Sequence, residues 1–342
     1  MNTPFRPLLV TQAEYDKAPG LFASAPGLDC RPAPADETAL AARVRETACR
    51  AVVLGVAPYR RELYDALADQ ANGQGALLVR FGFGTDSIDK GYAVAKGLTL
   101  VNTPVDIQTS VAELTLFLVG AVMRRIACLD ATIRGGGFTA VGGRELCGQT
   151  ALIIGGGKIG LKVSRMLHLG FGVRTLICDS APESDWLARA GQTRDALREV
   201  FGVETYAQDL DALLPAADLV TIHLPLTPET HGLIGSERLA LMKRGSVLVN
   251  AGRGGIVDEA ALYDALSSGH LDGAASDVFV TEPYVPAAPG KDLRLLPNMV
   301  LTPHCGSNTA EANARMAASA VQQAAAFFAG DGHLLHRVPL TS

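Results

Sequence analysis

Three polar residues stand where they could share one chemistry: Arg253 in NAGRGGIVDE, Glu282 in DVFVTEP and His304 in LTPHCGS. Each follows a short apolar run of strand type, namely Ser246–Asn250, Gly273–Val278 and Met299–Thr302. A guanidinium is always charged and offers a planar fork to a carboxylate or carbonyl oxygen. An imidazole is the usual proton donor near neutral pH. A carboxylate beside it stabilises the imidazolium and fixes its orientation. Reduction of a 2-oxo acid needs this set: a clamp for the acid, a hydride donor, and a proton for the oxygen. Singly, each residue has an ordinary reading as a surface ion pair, a loop acid or a loop histidine. At three successive strand ends they are far more specific.

The hydride donor has its own signature. Ala151–Ile154 is an apolar strand-like run, followed by Gly155, Gly157 and Gly160 at the spacing G-x-G-x-x-G. Leu161, Val163, Met166, Leu167 and Leu169 then recur at helical spacing, and a second apolar run ends in Asp179. Strand, tight turn, helix, strand and acid is the order that binds a dinucleotide. The glycines permit the turn, the approach of backbone to a pyrophosphate, and close packing of helix on strand. The helix N-terminus turns free N–H groups and a positive dipole end toward phosphate. Asp179 is placed to accept both hydroxyls of the adenosine ribose and to repel a 2′-phosphate. The expected cofactor is therefore NAD rather than NADP.

The elements that must carry these groups follow from length and pattern. A chain of 342 residues implies two domains. The net charge of −5 is mild and without blocks of one sign, which argues against a nucleic-acid surface. Six cysteines are scattered without a C-x-x-C pair, so reduced thiols are expected and no metal site. The opening MNTPFRPLLV does not read as a signal peptide, and Val111–Met123 is too short and too acidic to span a membrane. A soluble, cytoplasmic protein with a small-molecule substrate is the expectation. Strands at Pro7–Val10, Ala51–Val56, Ala76–Arg80 and Leu98–Asn102 alternate with helices at Asp36–Thr47, Arg60–Asp69 and Ile88–Lys96. Such alternation implies a parallel sheet covered on both faces. Pro104–Gln108 reads as a linker. Ser110 then caps one long helix, Val111–Cys128, with Glu113 completing a capping box. Gly135–Gly148 reads as a loop. Trp186–Ala190, Arg194–Phe201, Glu259–Ser267 and Thr309–Phe328 read as further helices.

With these residues in view, the chain resembles the D-isomer-specific 2-hydroxyacid dehydrogenases. IGGGKIG, HLPLTPETHGLI, VNAGRGGIVDEAAL, DVFVTEP, LTPHCGS and NTPVDIQTSVAELTL carry the resemblance, from about Gly82 to Met316. It implies an α/β protein of two Rossmann-like, doubly wound domains with an active-site cleft between them. Residues 1–106 with 303–342 would form the substrate domain and 107–302 the dinucleotide-binding domain. It implies Arg253, Glu282 and His304 as the catalytic set. Cofactor contacts would come from Gly155, Gly157, Lys158, Ile159, Gly160, Asp179, His223, Pro225, Thr230, Ala251, Arg253, Asp277, His304 and Gly306, with Asp277 on the nicotinamide carboxamide. The substrate would meet Arg253, His304 and the loop of Phe81, Gly82, Phe83 and Gly84, whose N–H groups would point at an anion. Gly135–Gly148 and the helix before it resemble a dimer arm, so a homodimer is implied.

Two places depart from the pattern. Gln108 stands where the family often has a small hydroxyl residue. The Asp179–Val220 segment is longer than the family pattern, and is read as surface decoration ahead of the other reading, a helix rimming the adenosine pocket. Besides the dehydrogenase, the same residues fit an NAD(H)-sensing, corepressor-like binding protein on the same fold; the absence of an evident recruitment tail favours the enzyme. Glu282 argues against a formate-oxidising relative, which would carry Gln there. Phe83 argues against a phosphite-oxidising one, which would carry Lys nearby.

Overall fold

The computed structural model describes residues 5–85, 87–105 and 107–338. Met1–Pro4, part of the stretch read as lacking a signal peptide, and Asp106, within the expected linker, lie outside them. The chain divides into two compact units, Met1–Ile107 with Ser307–Ser342, and Gln108–Gly306. The return to the first unit falls after Gly306, not at the expected 302, so the His304 loop belongs with the glycine turn.

The first unit begins with β1 (Arg6–Thr11), α1 (Gln12–Lys17), α2 (Pro19–Ala23), β2 (Leu28–Ala33), α3 (Glu37–Thr47), β3 (Ala51–Leu54), α4 (Glu62–Ala71), β4 (Ala76–Arg80), α5 (Lys90–Ala95) and β5 (Leu98–Asn102). Its strands are all parallel, in the order β2-β1-β3-β4-β5. β3 and β4 are buried along their whole length, as central strands covered on both faces must be. Asp36 caps α3 by accepting from Ala39 N–H. β2 did not stand out in the sequence. It is an edge strand containing Pro32, where a missing ladder donor costs nothing.

The second unit runs α6 (Gln108–Met123), α7 (Ile126–Arg134), β6 (Thr150–Ile154), α8 (Lys158–Phe171), β7 (Arg174–Cys178), α9 (Glu183–Ala190), α10 (Arg194–Phe201), β8 (Val203–Ala207), α11 (Leu210–Leu213), β9 (Leu219–Ile222), α12 (Ser236–Leu241), β10 (Val247–Asn250), α13 (Glu259–Ser267), β11 (Gly273–Ser276) and β12 (Met299–Leu301). The single long helix expected at Val111–Cys128 is instead two. It starts at Gln108 and breaks at Arg125, which turns left-handed with φ +58°. The Arg125 guanidinium binds Asp272, with a 2.8 Å bond to its backbone oxygen. The sheet is parallel in the order β12-β11-β10-β9-β6-β7-β8. Along β6 the pleat alternates: Ala151 and Ile153 pack with α6, α8 and Trp186, while Leu152 and Ile154 pack with α11, α12 and α13. The chain returns to the first unit as α14 (Ala310–Ala329), whose alanine face joins Leu8, Val10, Leu77 and Val79 in that unit's core.

Among the described residues no helix is long and apolar enough to cross a membrane.

Candidate active site

The connections leaving the carboxyl ends of β6, β9, β10, β11 and β12 emerge along one edge of the second sheet, because all its strands run the same way. The order reverses between β6 and β9, which places the crevice of a doubly wound sheet there. These connections hold the glycine turn, His223–Thr230, Arg253, Asp277–Glu282 and His304 respectively.

The glycine turn is built as the spacing predicts. Gly155 has φ +100°, and a side chain there would press on the His223 carbonyl oxygen at 2.7 Å. A Cβ on Gly160 would overlap the Gly155 carbonyl oxygen and lie 2.9 Å from Ile153. Gly157 is different: nothing lies within 4 Å of where its Cβ would be. It is the N-cap of the 14-residue α8, whose first turn carries no acid, and Lys158 follows, exposed. Open space above a helix N-terminus fits a pyrophosphate. His223 donates its N–H to Ile154 O at 2.8 Å, and its Nε2 meets Thr221 Oγ1 at 3.0 Å. Its Nδ1 is shut off from solvent with no partner, and burial pushes its pKa down to about 3, so the ring is neutral. An unpartnered buried polar atom and a cradle of glycines fit a dinucleotide.

His304 and Glu282 meet. His304 Nδ1 lies 2.8 Å from Glu282 Oε2, with both side chains about one-third exposed. Glu282 Oε1 accepts from Phe279 N–H at 3.0 Å. Burial pushes the Glu282 carboxyl up, but the hydrogen bonds from His304 and Phe279 and the charges of His304 and Arg253 outweigh it, so it sits below the usual glutamate range. His304 is held left-handed at φ +52°, a strained setting for a non-glycine residue. The restraint comes from Asp277, which is buried. Its Oδ1 accepts from Thr302 Oγ1 at 2.6 Å and Cys305 N–H at 2.9 Å, and its Oδ2 accepts from Gly306 N–H at 2.8 Å. Asp277 was expected on the cofactor carboxamide; in the structure its oxygens hold the loop of His304.

Arg253 leads a 3₁₀ turn that packs directly on Phe279 through Gly254. Asn250 shapes this turn, accepting from Gly252 N–H and donating to Arg253 O, each at 3.0 Å. Thr230 uses its hydroxyl within its own turn, donating to Pro225 O at 2.7 Å and accepting from Thr227 N–H at 2.8 Å. Ile159 and Ala251 are half-buried beside the glycine turn and the Arg253 turn, and Gln108 opens α6. In the first unit, Phe81 N–H donates to Leu54 O and Gly82 N–H to Thr103 Oγ1, each at 2.8 Å. These two amides therefore do not point at an anion; only those of Phe83 and Gly84 keep that expectation.

The long segment after Asp179 is not the surface decoration expected of it. Trp186 on α9 is 2% exposed, stacks on Tyr206 with centroids 4.5 Å apart, and donates from Nε1 to Gly156 O at 2.8 Å. The segment is therefore packed on the glycine turn and is not loose decoration. An indole in this segment was the signal that it has a buried face. Asp179 stands at the end of β7, where its Oδ2 accepts from Gly156 N–H at 3.0 Å.

Turn, sheet order and crevice define a dinucleotide-binding doubly wound domain. Residues 116–306 match the family described as D-isomer specific 2-hydroxyacid dehydrogenase, NAD binding domain, and the chain belongs to that family. It is 38% identical over 257 residues to the D-3-phosphoglycerate dehydrogenase of Mycobacterium bovis, covering 75% of this chain and 45% of that protein. The chain thus spans under half the length of that relative. It is 38% identical to the hydroxypyruvate reductase of Thermotoga maritima over 72% of this chain and 76% of that one. Among solved structures, the TT0316 protein of Thermus thermophilus superposes with a TM-score of 0.75 at 32% identity, covering 95% and 97% of the two chains.

Proposed function

We propose that this protein is an NAD-dependent oxidoreductase that interconverts a D-2-hydroxy acid and its 2-oxo acid. The observation that carries the proposal is the 2.8 Å His304–Glu282 pair on the same sheet edge as Arg253 and the glycine turn. Bound NADH supplies the hydride. Arg253 holds the carboxylate of the oxo acid. Glu282 accepts from Nδ1–H of His304, which leaves Nε2 to deliver a proton to the carbonyl oxygen. In the opposite direction the neutral ring takes that proton back. Asp277 keeps His304 in its left-handed setting so that the proton arrives at a fixed place. Phe83 and Gly84 supply amides for an anion.

A homodimer is also proposed, supported by apolar side chains exposed on α6, α7 and the loop after them: Phe117, Ile126, Ile133 and Phe138, the last 95% exposed. Light scattering on a sizing column reads this directly.

The test of the activity is a panel of 2-oxo acids (glyoxylate, hydroxypyruvate, pyruvate, phenylpyruvate and branched-chain acids) with NADH, followed at the cofactor's absorbance. Turnover of at least one, lost in His304→Ala, is expected. NADH binding with no turnover of any acid would instead favour the corepressor-like binding protein.

A further inference from the structure

We propose that Arg189 sets the choice of dinucleotide, and that it lets the adenosine-ribose subsite at Asp179 admit a 2′-phosphate, so that the protein accepts NADPH as well as NADH. The inference rests on the dinucleotide reading of the glycine turn.

The sequence alone made Asp179 a barrier to a 2′-phosphate. In the structure the acid is not alone. Arg189 Nη2 lies 3.0 Å from Asp179 Oδ1. The same oxygen accepts from Ala181 N–H at 3.2 Å, and Oδ2 accepts from Gly156 N–H. A carboxylate offers about four acceptor positions. Three are filled, two of them on Oδ1, so one remains. A ribose diol needs two, and Arg189 must release Asp179 before both hydroxyls can bind.

Charge acts in the same direction. A lone carboxylate repels a phosphate dianion, whereas a carboxylate paired with a guanidinium presents no net charge to it. The guanidinium is itself a planar fork suited to phosphate oxygens. Arg189 is 61% exposed on its side chain while Asp179 is 12% exposed. An ion pair with one partner so exposed is weak, so the guanidinium can trade one anion for another. Of the two acids in the first turn of the same helix, Glu183 is paired with Arg194, while Asp185 is exposed and accepts from Ser184 Oγ at 3.2 Å. Ser180, exposed beside Asp179, adds a hydroxyl.

What places Arg189 is fixed. It lies three residues after Trp186 on α9, one helical turn from the indole anchored to Gly156 O. Tyr206 hydroxyl donates to Ala181 O at 2.5 Å, and Gln208 Nε2 donates to Ser180 O at 2.7 Å, which pins the turn between Asp179 and the helix. The cation is therefore delivered to this spot by α9.

The test compares two nucleotides that differ only in the 2′-phosphate, adenosine 2′,5′-bisphosphate and 5′-AMP. Each is titrated by calorimetry into the full chain and into Arg189→Ala and Arg189→Lys, with a thermal melt confirming that each variant is folded. The native protein is expected to bind the bisphosphate within about ten-fold of 5′-AMP. Arg189→Ala is expected to shift that ratio against the bisphosphate by at least about ten-fold, the worth of one charge-assisted pair, with Arg189→Lys between. The ratio of kcat/KM for NADPH to that for NADH should fall in parallel. An unmoved ratio in folded Arg189→Ala, with 5′-AMP still bound, would overturn the inference alone. No binding of either nucleotide or of NADH would overturn it together with the dinucleotide reading beneath it.

Discussion

The place of Arg253 depends on a residue without a side chain. Gly254 packs so closely on the next strand-end loop that an added Cβ would lie 2.5 Å from Phe279 Cα and closer still to its carbonyl group. Non-bonded carbons rest at about 3.5–4.0 Å, so Gly254→Ala must part the two loops by about 1 Å or more. Both obstacles are backbone, which cannot rotate aside. Gly254 is not left-handed, so the clash is the only penalty. The displacement reaches both sides of the site, because Arg253 precedes Gly254 and Phe279 N–H holds Glu282. A misplacement of about 1 Å can cost about 10²-fold in rate. Overpacking of this kind costs about 1–3 kcal/mol, which for a unit of this size lowers the melting temperature by about 2–12 °C. The assay is kcat/KM for the preferred oxo acid, with NADH titration and a thermal melt alongside. Gly120→Ala serves as control: Gly120 lies within α6 and nothing is within 4 Å of its added Cβ. The expected result is about 10²-fold lower kcat/KM in Gly254→Ala with NADH binding reduced much less, and no loss in Gly120→Ala. Native kcat/KM in a folded Gly254→Ala protein would refute the claim that the spacing of these two loops sets the chemistry.

Other outcomes follow from the same geometry. His304→Ala is expected to lose about 10²–10⁴-fold in rate while still binding NADH, and Glu282→Gln to lose less, measured as kcat for oxo-acid reduction with cofactor binding checked separately. Gly157→Ala should melt like the native protein yet bind NADH more weakly, since its methyl enters open space, whereas Gly160→Ala should melt lower because its methyl meets the Gly155 carbonyl; equal behaviour of the two would count against the cradle. The Glu282 carboxyl sits below the usual glutamate range when folded, so its stabilising effect is present above about pH 4.3 and fades as pH falls through the folded value. The gap in urea midpoint between the native protein and Glu282→Gln should therefore close as pH falls below that point; a gap that widened there would show the sign to be wrong.

Much of this was legible because the pattern and the chemistry coincide. Ala151–Ile154 is apolar at every position because both faces of β6 are covered, and a run of that kind is hard to misread. Asp36 and Thr309 announce helix starts because each fills a first orphan donor of its helix. The edge strands were harder. β8 reads VETYA, half exposed and weakly patterned, and β2 contains a proline. The break at Arg125 was hidden because the apolar run continues past it and the cause, Asp272, lies far along the chain. At the site, residue types at strand ends pointed to His304, Glu282 and Arg253. Which oxygen serves which neighbour did not show. Nothing in the residue type showed that Asp277, read as a cofactor ligand, also clamps the strained loop of His304. Nor did it show that Asp179, read as the acceptor of a ribose diol, is paired with Arg189.

Trp186 is the one tryptophan of the chain, and its indole touches the carbonyl of the phosphate turn. All tryptophan light from this protein thus originates at a single address within the second unit. Its buried ring should emit toward the blue, shift to the red when that unit opens, and lose intensity to a bound nicotinamide that absorbs where indole emits. The first unit contributes no tryptophan and is silent in that channel, while circular dichroism registers the helices of both. Overlaid denaturation curves from the two signals therefore reveal whether the chain melts as one cooperative body or in two stages, with no label attached.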